Sequence, residues 1–162
     1  MACMPNYGKN KYMNSQINKN EINCPYELSI STDEECEQIS NEVMYFNARA
    51  VPFTQMETPI LKNYVLKDNN KIIAGINACV YCWGILYINP LFVDENYRGR
   101  NLGGYLLDRV EQEAKAMGAS LSHLDTFDFQ AKDFYLKQGY EIFGVLENCP
   151  PNHNRYYLKK TL

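Results

Sequence analysis

The sequence predicts an α/β fold with a mixed central sheet, and three observations predict it. Strand-like and helical periodicities alternate along the chain in the order β-α-β-β-β-α-β-α-β-β. Some neighbours are joined by tight turns and others by helices, so antiparallel and parallel pairs must share one sheet. At 162 residues the chain has the length of one domain with a core of its own.

Residues 1–25 are rich in Asn and Lys and show no period, which predicts a flexible polar arm ahead of a single domain over residues 26–162. Residues 26–30 read as a short strand. Ser31 and Thr32, with Glu34 and Glu35 three residues on, carry a capping-box signature. Behind it Ile39, Val43, Phe46 and Ala50 recur at helical spacing and predict a helix over residues 33–48. Pro52 and Pro59 bracket a loop.

A meander follows. Residues 60–67 read as a strand, 68–70 as its turn, 71–81 as the returning strand and 85–93 as a third. Pro90 cannot donate to a ladder, so it marks a bulge or a strand edge. Residues 102–117 form a helix with Leu102, Leu106, Val110, Ala114 and Met117 on one face and Gly118 as its C-cap. Then come a strand over 121–126, a short helix over 130–138 stopped by Gly139, a strand over 140–147, a loop over 148–152 and a last strand over 155–160.

Composition narrows the function. A net charge of −3 argues against a broad nucleic-acid or anionic-membrane surface. No stretch reaches the ~18 apolar residues that span a bilayer, and residues 1–20 lack an apolar signal core, so the expected location is the cytoplasm. The six cysteines are Cys3, Cys24, Cys36, Cys79, Cys82 and Cys149. Cys79 and Cys82 have zinc-type spacing but no second pair beside them. The reading is reduced, mostly buried thiols and no metal.

The run from Leu91 to Leu107 carries the chemistry. An apolar strand ends, a Gly- and Arg-rich turn follows, and an amphipathic helix starts at once. That order aims backbone N–H groups and a helix N-terminus at one point, which suits a phosphate. Arg98 and Arg100 add positive charge. No Lys-Ser or Lys-Thr follows the glycines, which excludes a P-loop. Gly99, Gly103 and Gly104 are not spaced as G-x-G-x-x-G, which excludes the dinucleotide fingerprint. What remains is [QR]-x-x-G-x-[GA], present as Arg98-Gly99-Arg100-Asn101-Leu102-Gly103. This resembles the pyrophosphate loop of the GNAT superfamily of acetyl-coenzyme A-dependent acetyltransferases. Asn101 stands where that family has Gly, and Asn is the residue that next best tolerates positive φ.

A second block strengthens the resemblance. The superfamily carries N-x-x-A-x-x-x-Y-x-x-x-G-[FY], and Ala131, Tyr135, Gly139 and Tyr140 match it, with Asp128 in place of Asn. The phrase L-D-T-F-x-F-Q-A and a closing P-x-x-H-x-R-Y are similar to a branch of small stand-alone bacterial members. The resemblance covers residues 60–162 well and 26–59 loosely.

It implies a GNAT fold, with splayed strands in a mixed sheet flanked by helices, and an N-acetyltransferase that uses acetyl-CoA as co-substrate. The amides of Arg98, Gly99, Arg100, Asn101, Leu102, Gly103 and Gly104 would take the pyrophosphate. The backbone of Phe92 and Val93 would pair with the pantetheine arm, and the Val93 N–H would face the developing oxyanion. Asp128 and Ala131 would border the coenzyme. Tyr135 sits where the family places its general acid; the alternative is that it packs in the core with Ala131 and Phe134. The base stays open among Asp125, His153, Glu57 and a water chain; each of the three residues also reads as a cap, loop or surface residue. Tyr81, Trp83 and Tyr87 would either hold a cationic amine or pack the sheet face. The acceptor reads as a small amine; the alternatives are a protein amine or a coenzyme A-binding module without catalysis. A homodimer through the C-terminal strands is expected by analogy.

Overall fold

The computed structural model describes residues 25–162, which divide into two compact units, 25–52 and 53–162. The expected polar arm, except Pro25, lies outside the described residues, as do Cys3 and Cys24.

The first unit is built on α1 (Asp33–Ala50). Thr32 caps it: its hydroxyl accepts from the Glu35 N–H at 3.2 Å, and its own N–H donates to the Glu35 carboxylate at 2.7 Å. Residues 26–30, expected as a strand, form none. Three alternating apolar side chains, Tyr26, Leu28 and Ile30, do not make a strand without a second strand to accept its amides, and this unit holds only a helix among its described residues.

The second unit carries a seven-stranded sheet in the order β1-β3-β4-β5-β7-β6, with β2 also on β3. The expected strand over 60–67 is broken into β1 (Ile60–Leu61) and β2 (Tyr64–Asp68), both antiparallel to β3 (Lys71–Tyr81). Asn63 makes the break. Its side-chain oxygen takes the Ala78 N–H at 3.2 Å, replacing a backbone carbonyl in the ladder. Asn69 and Asn70 turn the chain with φ of 45° and 68°, the left-handed pair that matches the twist of a tight hairpin.

β4 (Ile85–Val93) pairs with β3 on one side and β5 (Leu121–Phe127) on the other. Ile76 faces Leu91 and Ala78 faces Ile88, so Asn89 and Pro90 together oppose the single residue Asn77. This is a bulge at the proline, as its missing donor requires. The parallel β4–β5 pairing covers only Ile85–Leu121, Leu86–Ser122 and Tyr87–His123. Beyond Tyr87 the two strands part. β7 (Arg155–Thr161) lies between β5 and β6 (Glu141–Leu146).

α2 (Leu102–Ala116) covers one sheet face, burying Leu106, Leu107, Val110 and Ala114 against Ile76, Leu86, Ile88, Leu124 and Leu158. Each such leucine contributes about 1.5–3 kcal/mol. Met117, expected on this face, is exposed because the helix ends at Ala116 and Gly118 turns away with φ of 88°. α3 (Lys132–Lys137) is shorter than the expected 130–138. Gln130 is used before it, its side-chain oxygen accepting from the Phe127 N–H at 3.0 Å and the Thr126 hydroxyl at 3.2 Å.

A buried polar network ties α2 to the strands beneath. The Tyr140 hydroxyl bridges Ser122 Oγ at 2.7 Å and Glu111 at 2.8 Å, and Lys160 reaches Glu111 at 2.5 Å. Tyr140→Phe leaves buried Glu111 and Ser122 each short of a partner. It is expected to cost about 1–3 kcal/mol, read as a lowered urea midpoint with an unchanged m-value.

Among the four described cysteines only Cys79 is buried; Cys82 and Cys149 are half-buried and Cys36 is exposed. The expectation of mostly buried thiols is therefore corrected. Cys82 belongs to the turn after β3, with φ of 46°, and not to the strand. Among the described residues no group of side chains gathers to hold a metal ion, and no helix is long and apolar enough to cross a membrane.

Candidate active site

The parting of β4 and β5 opens a cleft of about 1100 Å³. The ladder phase decides which amides face it. The Asp94 N–H donates to the Ile73 carbonyl at 2.8 Å, which makes Ala74–Val93 a non-hydrogen-bonded pair. The peptide groups of Val93, and of Leu91 two residues earlier, therefore point away from β3 and toward the gap. Phe92 lies between them and turns its amide to Gly75 of β3, so Phe92 reaches the cleft through its side chain. Sequence reasoning missed Leu91, since only the register reveals the phase.

After Val93 the chain makes a short 3₁₀ turn over Glu95–Tyr97. Asp94 holds it, accepting from the Asn96 N–H at 3.0 Å and from Lys71 at 2.7 Å. The Tyr97 hydroxyl anchors the turn to Asp68 at 2.7 Å. Gly99 follows with φ of 76° and open space around it. Asn101 then takes φ 57° and ψ 23° as the residue before α2, and its side chain makes no capping bond. The first-turn amides of Leu102, Gly103 and Gly104 are left to an outside acceptor, as at any uncapped helix start. A Cβ at Gly104 would run into the Asn101 side chain, and Gly103 lies beside Phe134 and Val93. Arg98 lines the cleft, its Nε on the Val93 carbonyl at 3.3 Å. Arg100 instead stacks on the Tyr97 ring at 5.0 Å and is not part of the cleft wall.

α3 brings Tyr135 to the opposite wall. The residue is 94% buried, its ring edge-on to Phe134 at 5.0 Å and Tyr140 at 5.8 Å. Among the described residues its hydroxyl has no hydrogen-bond partner, yet no buried polar atom is left unsatisfied; the hydroxyl opens to the cleft. Burial, with a smaller push from Asp125, raises this phenol to about 12. The ring of Tyr135 packs in the core, while its hydroxyl borders the cleft. Ala131 precedes α3 on the same wall.

Asp125 lines the cleft from β5. Its Oδ2 accepts from Arg155 Nε at 2.6 Å, with Nη2 in ion-pair contact at 2.5 Å, and the Tyr87 hydroxyl stands 3.4 Å from Oδ1. Burial first, then Asp125, pushes the Tyr87 phenol up. Arg155 was not singled out from the sequence; its place in the closing P-x-x-H-x-R-Y block was the available signal.

His153 is not in the cleft wall. Its Nδ1 meets Asp128 Oδ1 at 3.0 Å, and its ring stands edge-on to Phe129 at 5.0 Å. Asp128, on the wall, also accepts from the Asn154 N–H at 3.0 Å while its own N–H donates to the Asn154 carbonyl at 3.0 Å. Burial opposes ionisation of Asp128, but the bonds from Asn154 and His153 outweigh it and lower its carboxyl. Glu57 sits in an exposed loop outside the wall, and Trp83 packs on Phe53 at 5.5 Å. Tyr81 hydrogen-bonds His123 Nε2 at 2.9 Å, and burial lowers that imidazole. Of the three aromatic candidates, Tyr87 alone lines the cleft.

Residues 61–142 match the family model for the acetyltransferase (GNAT) domain. The chain belongs to the GNAT acetyltransferase family. This GNAT chain is 31% identical to blasticidin-S acetyltransferase of Streptomyces morookaense over 104 residues, 64% of this chain and 76% of the relative. It is 28% identical over 135 residues to an Agrobacterium fabrum acetyltransferase, 82% of this chain and 96% of that one. A crystal structure of an acetyltransferase from Bacillus cereus ATCC 14579 superposes with a TM-score of 0.76 at 33% identity, covering 85% of this chain and 98% of the other. The parted strands and mixed sheet expected of a GNAT fold are present. GNAT acetyltransferases draw their acetyl group from acetyl-CoA, and this chain is an acetyltransferase of that kind.

Proposed function

We propose that this GNAT domain moves an acetyl group from acetyl-CoA to the primary amine of a small molecule by direct attack. One observation carries the reading: the Val93 amide, the uncapped start of α2 and the Tyr135 hydroxyl all border the gap between β4 and β5. The amides of residues 98–104 take the diphosphate, with Arg98 beside them. The Leu91 and Val93 peptide groups pair with the extended arm as an added strand. The Val93 N–H steadies the charge that builds on the acetyl oxygen, an effect typically of about 3–4 kcal/mol. Tyr135 gives its proton to the leaving thiolate. A phenol held near 12 stays protonated wherever the enzyme works, so the donor is always loaded; transfer to a thiolate of ~8.5 runs uphill and occurs as the C–S bond breaks, after which cleft water returns the proton to the phenolate.

The amine must lose a proton, which costs about 4–5 kcal/mol at pH 7 for a lysine-like group. His153 lies outside the cleft wall, bonded to Asp128, and Asp125 Oδ2 is held by Arg155 while Oδ1 remains to face the amine; the proton passes to water in the open cleft. The expected kcat/KM therefore rises with pH toward the acceptor's own pKa and shows no falling limb from Tyr135 below about pH 10. A falling limb near neutral pH that disappears in Tyr135→Phe would contradict this.

A small acceptor is favoured by the 31% identity to an enzyme named for blasticidin S. Thioester consumption across a panel of small amines and lysine peptides tests the reading. Faster transfer to small amines supports it, and transfer to peptides alone overturns the acceptor class. A chain that binds acetyl-CoA but never consumes it is a coenzyme-binding module.

A further inference from the structure

Asp125 and Arg155 line the cleft, and neither has spent its bonding capacity on the other. Arg155 Nε and Nη2 converge on one oxygen, Oδ2, at 2.6 and 2.5 Å. A guanidinium paired with a carboxylate frequently uses both oxygens in a parallel fork, and this pair does not. Among the described residues the one hydrogen bond at Asp125 Oδ1 is the long 3.4 Å one from Tyr87, and no hydrogen bond joins the Nη1 donors of Arg155 to Asp125. The guanidinium carbon lies over the Phe127 and Tyr157 rings at 5.4 and 5.7 Å. The side chains remain 17% and 35% exposed, so both can be reached.

A lone cation drawn to Oδ1 would meet the adjacent guanidinium, and a lone anion drawn to the guanidinium would meet the carboxylate. A ligand with both charges a few bonds apart satisfies both. We propose that the acceptor is a zwitterion, a primary amine with a nearby carboxylate, whose ammonium faces Asp125 Oδ1 and whose carboxylate faces Arg155. The proposal rests on the transferase reading for the fate of the amine, but its test does not require turnover.

The experiment titrates the chain, saturated with coenzyme A, with the standard amino acids, their methyl esters and the matching decarboxylated amines, using ligand-observed NMR. The expected result is binding of at least some acids about tenfold or more tightly than of their esters and amines. In Arg155→Gln the acid and ester come within about twofold of each other; in Arg155→Lys, which keeps the charge and the ion pair, part of the preference remains. A merely structural Arg155 would lower thermal stability in both variants and leave the acid-to-ester ratio intact. Equal affinity for acid and ester in the wild-type chain, a preference that survives in folded Arg155→Gln, or no association with any amino acid overturns the proposal. Binding of acids without acetyl transfer to any amine would instead count against the transferase reading.

Discussion

Tyr135→Phe is expected to lower kcat by about a hundred- to a thousandfold while the dissociation constant for acetyl-CoA stays within about twofold. The ring is what the fold uses: it packs edge-on to Phe134 and Tyr140. The hydroxyl opens to the cleft without a protein partner, so removing it leaves no buried group stranded. Stability should change by less than about 0.5 kcal/mol. The affinity is preserved because the proposed diphosphate and pantetheine contacts are backbone amides on β4 and α2. Single-turnover kinetics and calorimetry on the same preparation separate the two effects. Near-equal turnover would remove Tyr135 from the chemistry.

Gly103→Asp should weaken acetyl-CoA binding by roughly a hundredfold without unfolding the chain. Gly103 is buried, but a Cβ there meets Phe134 at 3.4 Å and Val93 at 3.6 Å, ordinary contact distances. An acidic residue in the first turn of α2 even favours the helix, by about 0.3–1 kcal/mol. The same carboxylate lies in the proposed diphosphate cradle. Two unit charges about 5 Å apart at an effective dielectric near 20 repel by about 3 kcal/mol, which sets the size of the loss. Gly103→Asn has nearly the same shape and no charge, so it should lose less than about tenfold. Equal losses for Asp and Asn would mean that bulk, not charge, is what the cradle rejects. Unfolding stability by urea should be unchanged within about 1 kcal/mol for both.

What the sequence made legible follows from what each signal encodes. The limits of β3 and β4 were readable because turn residues bound them on both sides, and the bulge at Pro90 because proline lacks a donor. The left-handed Asn101 was readable because few residues tolerate that conformation. Long-range pairings were not readable. Asn63 breaks an apparently continuous strand by bonding to Ala78, and residues 26–30 lack the partner a strand requires. The site divides the same way. Tyr135 and the loop glycines keep local spacing, so the resemblance located them. Which peptide groups of β4 face the gap depends on register with β3, and the fates of Asp125 and His153 depend on Arg155 and Asp128, 30 and 25 residues away.

The central claim is that amides at the start of α2 and on β4 receive the coenzyme in the gap beyond Tyr87. Backbone amide NMR of the ¹⁵N-labelled chain during an acetyl-CoA titration tests it most directly. The account predicts saturable shifts concentrated at Leu91, Val93 and residues 98–104, with Gly103 and Gly104 moving downfield as they donate to phosphate. No saturable change, or changes confined to surfaces away from these residues, would contradict it.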